Sequence, residues 1–87
     1  MNFKTGNIYI SAAIAFRASN ESDFFHFLNK SIGKYMNCEW GNNALINNNA
    51  VINGERILAS YQYQNTKIWI MTEYDRSMTT ILFPEEY

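Results

Sequence analysis

Three runs near the carboxyl end switch side-chain character at every step, and that period of two restricts what the chain can become. Over residues 56–63, Ile57, Ala59, Tyr61 and Tyr63 share one face while Leu58, Ser60 and Gln62 share the other. From Lys67 to Glu73 the pattern repeats, with Ile68, Ile70 and Thr72 opposed to Trp69, Met71 and Glu73. Thr80 to Phe83 resumes the β-branched and aromatic character after a polar break at Glu73 to Ser77. Gln64, Asn65 and Thr66 form a short polar link, and the charged break forms a second tight turn. The expected product is a three-stranded antiparallel meander, ended at Pro84, which has no amide proton for a ladder. Both faces of the middle strand are apolar. One side should pack on a helix, and the Trp69 and Met71 side should be partly covered by the N-terminal segment or by a partner.

Upstream, Gly6 and Asn7 precede Ile8, Tyr9 and Ile10, a turn feeding a short strand. Ser11 can cap a brief helical turn over Ala12 to Arg17, and a continuous strand from Ile8 to Phe16 is the competing expectation. Ser22 or Asn20 can cap a long helix over Asp23 to Met36, with Glu21 and Asp23 near its positive end. Phe24, Phe25, Leu28, Ile32, Tyr35 and Met36 recur at spacings of three and four, giving one apolar stripe. His26, Asn29, Lys30 and Lys34 lie off it and should be wet. Gly33 weakens a helix, so it is expected to mark a close approach to the sheet. Asn43 to Asn53 reads as a short second helix, stopped by Asn53-Gly54. The fold class is therefore α+β: the meander plus a short N-terminal strand, packed against one long and one short helix.

With 87 residues, the chain has enough length for one core and one domain, 1–87, and 16% aromatic residues make that core feasible. A net charge of −1 and a pI near 5.7 leave no general positive field for nucleic acid, and the scattered carboxylates are too few to imitate one. Cys38 and His26 are each the only residue of their type. An internal disulfide is thereby excluded, a zinc site of His and Cys has too few ligands, and the reducing cytoplasm is the expected compartment. The apolar run Ile8 to Phe16 is far shorter than a bilayer span, so no membrane association is expected. Nothing calls for a cofactor.

Polar chemistry concentrates at Glu73, Asp75, Arg76, Ser77, Thr79 and Thr80. Two carboxylates beside an arginine can serve acid and base catalysis in a concave site, or they can merely tie down a turn. Ser77, His26 and Asp75 make a triad only on paper; no nucleophile elbow, phosphate loop or HExxH supports it. Trp40, just before Gly41, can fold back over the core or stack on a ligand. With Trp69, Tyr61, Tyr63 and Tyr74 it belongs to the residue types that dominate protein interfaces.

Several of these segments form a recognisable series: Ile68-Trp69-Ile70, Thr72-Glu73, Asp75-Arg76-Ser77, Thr79-Thr80 and Ile81 through Tyr87, preceded by Arg56 to Ala59 with Tyr61. This C-terminal series resembles a family of small bacterial plasmid and phage proteins, and Glu39-Trp40-Gly41 looks like that family's Asp-Trp-Gly element. The likeness covers roughly residues 35 to 87. It departs at Lys34-Tyr35, where the family has Arg-His, and at Glu39, where it has Asp. The resemblance implies a mobile genetic element. By analogy with other short proteins of such elements, the expected function is non-enzymatic protein binding, as an anti-CRISPR or anti-restriction inhibitor whose partner is a host protein such as a defence nuclease complex. The binding residues expected are Trp40, Trp69, Glu73, Tyr74, Asp75 and Arg76. The alternative is a small enzyme or ligand binder using Glu73, Asp75 and Arg76 near Trp40. Self-association as a homodimer through a sheet edge is a third.

Overall fold

A computed structural model describes residues 2–87, except the side chain of Asn42. The chain folds as α+β, in the order β1 (Asn7–Ile10), α1 (Ala12–Asn20), α2 (Ser22–Met36), a 3₁₀ turn (Gly41–Asn43), α3 (Ala44–Asn53), β2 (Ile57–Tyr63), β3 (Thr66–Thr72), β4 (Met78–Leu82) and a closing 3₁₀ turn (Pro84–Glu86). The sheet runs β1-β4-β3-β2. β2, β3 and β4 pair antiparallel, as the alternation requires, but β1 pairs parallel with β4, so the sheet is mixed. Among the described residues there are three helices: the expected long and short ones, and one where only a brief helical turn over Ala12 to Arg17 was expected.

The additional helix is α1, a full nine residues. Ser11 accepts a hydrogen bond from the Ile14 amide at 3.2 Å and donates to Glu86 Oε1 at 3.0 Å. This cap ends β1 after Ile10, and the alternative strand through Phe16 does not form. A single extended residue, Glu21, closes α1 and opens α2, so neither Ser22 nor Asn20 caps the long helix. Arg17 braces the corner: its guanidinium lies 4.6 Å from the centre of the Phe24 ring, with Nε on Glu21 at 3.1 Å and Nη1 on Thr66 Oγ1 at 2.8 Å.

The core lies between the helices and the sheet face carrying Ile57, Ala59, Ile68, Ile70 and Ile81. Helix α2 presents Phe24, Leu28, Ser31 and Tyr35 to it, a narrower stripe than expected: Phe25 and Met36 stay exposed. Gly33 is exposed too, and a Cβ there would meet nothing within 4 Å, so it marks no close approach. Trp40 is 1% exposed, set edge-on to Tyr35 at 5.1 Å and held by Nε1 donating to Asn48 Oδ1 at 2.8 Å. On the other sheet face, Trp69 is half-buried beneath Tyr87, their rings 5.7 Å apart. For Trp69 the C-terminal turn supplies cover.

A buried relay of hydroxyls crosses the sheet beside this core. Thr79 Oγ1 donates to the Thr5 carbonyl at 2.7 Å, so it must accept from Thr72 at 2.7 Å, and Thr72 must accept from Tyr35 Oη at 2.6 Å. Each hydroxyl has one proton, which fixes the direction. The relay ties α2 through β3 and β4 to the segment that leads into β1.

Candidate functional site

The polar turn between β3 and β4 is the first place where chemistry was expected, and its arginine is held by backbone carbonyls. Arg76 adopts a left-handed backbone (φ 60°) that swings its guanidinium under the end of α3. There it donates to the carbonyls of Glu55 at 2.6 Å, Ala50 at 3.0 Å and Glu73 at 3.1 Å. Glu73 faces Arg56, a partly exposed pair at 3.7 Å. Asp75 accepts the Ser77 amide at 3.0 Å, and the bonds from Ser77 hold its exposed carboxyl below the usual range. Tyr74 projects into solvent. Trp40 is in the core, and the guanidinium that the alternative enzyme reading needed holds three carbonyls. Among the described residues, no group of three His, Cys, Asp or Glu side chains could hold a metal ion.

A concave site lies elsewhere, between α2 and the free edge of β2, with a volume of about 660 Å³. Its helical wall carries His26, Lys30 and Lys34, each four residues from the next and so stacked on one face. Lys67 faces it from β3, and Asp23 is its one carboxylate. Three of the chain's four lysines and its only histidine thus converge on one groove of a chain whose net charge is −1. The two ion pairs formed among the described residues use Arg17 and Arg56, leaving these lysines unpaired. Phe27 stacks on Tyr63 at 5.5 Å, joining the two walls. Tyr61 donates to the Glu39 carbonyl at 2.9 Å; burial and the neighbouring Tyr35 hold its phenol well above its ordinary range.

The β2 wall has a definite hydrogen-bonding pattern. Asn47, buried on α3, donates Nδ2 to the Leu58 carbonyl at 2.8 Å and accepts the Leu58 amide on Oδ1 at 3.3 Å. Leu58 therefore points its backbone away from β3. In an antiparallel ladder every second residue does the same, so Ser60 and Gln62 turn their amides and carbonyls outward, into the groove. No described residue pairs with them.

No family model matches this chain, and no curated protein or solved structure matches it. The site is therefore argued from its own geometry. Of the six expected binding residues, only Trp40 borders the groove, as part of its buried base. Sequence reasoning placed His26, Lys30 and Lys34 in solvent, where they are, without asking what their four-residue spacing faced. That spacing was the available signal. The part played by Ser60, Gln62 and Lys67 depends on which strand is the edge, which the alternation of β2 does not reveal.

Proposed function

We propose that the chain is a non-enzymatic protein-binding module whose docking site is the basic groove between α2 and β2. The observation that carries this reading is the convergence of Lys30, Lys34 and Lys67, unpaired, on one open cleft of an otherwise acidic chain. Unpaired cations on an open wall steer and orient an anionic partner, since they meet it without first breaking an internal ion pair. The resemblance to small plasmid and phage proteins supplies the proposed context: a mobile element, acting in the cytoplasm on a host protein such as a defence nuclease complex, in the manner of an anti-CRISPR or anti-restriction inhibitor.

Site-directed photo-crosslinking in host extract tests the reading. A crosslinker at Gln62 should give a discrete protein adduct that is lost with Lys30→Glu/Lys34→Glu, whereas one at the remote, exposed Phe16 should not. Absence of any adduct dependent on those lysines would overturn the assignment of the groove as the docking site.

A further inference from the structure

We infer that the groove takes an extended, acidic segment of another protein, which adds to the sheet as a fifth strand along β2. The inference rests on the binding-module reading and specifies the form of its ligand. Three observations meet here. First, β2 is a sheet edge on which one rung, Leu58, is already filled by the side chain of Asn47, while the next two, Ser60 and Gln62, face the groove unpaired. An extended peptide satisfies such rungs through its own backbone, whatever its sequence.

Second, the charge of the facing wall selects for carboxylates. Lys30 and Lys34 stand four residues apart, about 6 Å along the helix axis. Alternate side chains of a strand stand roughly 6.6 Å apart. An extended chain lying along the groove therefore meets Lys30 and Lys34 from alternate positions, with Lys67 contributing from the strand side.

Third, the rest of the edge is closed to pairing. Asn47 blocks the Leu58 end, and the tight Gln64-Asn65 turn ends β2 after Tyr63. Only a short stretch is open, which suits recognition of a short acidic motif and limits runaway edge-to-edge pairing between copies.

The test uses the intact chain and a blocked eight-residue peptide alternating glutamate with valine, followed by amide NMR at low salt. Saturable binding is expected, with hydrogen exchange at Ser60 and Gln62 slowed about tenfold or more. Lys30→Glu/Lys34→Glu, whose side chains are exposed and unpaired, should weaken it about tenfold or more. Two N-methylated peptides, blocked at odd or at even positions, discriminate backbone pairing: one should lose about tenfold in affinity and the other should not, because only alternate amides face β2. Equal affinity of both N-methylated peptides, with lysine dependence intact, would overturn strand addition while leaving the groove as a docking site. Failure of the peptide to bind while the Gln62 adduct persists would overturn the acidic-strand ligand alone. A nucleic-acid oligomer that shifts the same amides where the peptide does not would also overturn it.

Discussion

Asn47 and Leu58 form a two-point contact in which a side-chain amide takes the place of a neighbouring strand. Nδ2 donates to the Leu58 carbonyl at 2.8 Å and Oδ1 accepts its amide at 3.3 Å, with Asn47 only 1% exposed. Asparagine is a poor helix former, and its place in α3 is explained by this contact. Asn47→Ala leaves two backbone groups without a partner and should cost about 2 to 4 kcal/mol in denaturant unfolding. Asn47→Asp keeps the acceptor but sets a carboxylate against the Leu58 carbonyl. It should be more damaging near about pH 7 than near about pH 4, where the protonated acid can donate.

The turn at Arg76 is predicted to be structural. Arg76→Ala removes three donors from the carbonyls of Ala50, Glu55 and Glu73 and should destabilise the fold by about 2 kcal/mol. Affinity for an acidic peptide in the α2 groove should be unchanged. A thermal melt and a binding isotherm on the same variant separate the two effects.

Two glycines predict opposite signs. Gly6 has φ +63°, and a Cβ there would collide with the backbone of Ser77 and Arg76, where the chain closes onto β4. Gly6→Ala should cost roughly 2 kcal/mol or more and release β1, seen as faster amide exchange at Asn7 and Ser11. Gly33 lies in the last turn of α2 with open space around it, so Gly33→Ala should stabilise by up to about 1 kcal/mol. The same denaturant titration measures both.

Alkali should weaken the fold through Tyr35. Burial pushes its phenol up to about 12 from 10.0, while the bond to Thr72 opposes the shift and would favour a phenolate only if that hydroxyl turned round, breaking the relay. Because the folded value is the higher, the folded state holds the proton more tightly. The stabilisation is complete below about pH 10 and lost as pH rises through about 12, amounting to roughly 2 to 3 kcal/mol. Tyr35→Phe should flatten this limb of the stability profile. Tyr61, also raised by burial, leaves a remainder.

The α+β class, the three C-terminal strands and the long helix were legible because each is a local repeat: period two over Ile57–Tyr63 and Thr66–Thr72, spacings of three and four over α2. The stop at Gly54 was legible for the same reason, since it depends on one residue's access to φ 69°. The parallel pairing of β1 with β4 was not, because nothing in Asn7–Ile10 encodes which edge a four-residue strand will join. Nor did composition separate the two polar clusters. Glu73, Asp75 and Arg76 stand together in the chain, where Arg76 is taken up by backbone carbonyls, whereas Lys30, Lys34 and Lys67 are scattered and converge in space.

Taken alone, the sequence determined what short-range sterics and side-chain periodicity can encode: which segments are strand or helix, and which face of each is apolar. Only the tertiary structure decided that β2 is an edge, that Asn47 fills one of its rungs, and that the next two open toward three lysines. The reason is physical: a backbone amide left over from one ladder acquires meaning only when the whole sheet has chosen its order, and a cation's partner is set by distance in space.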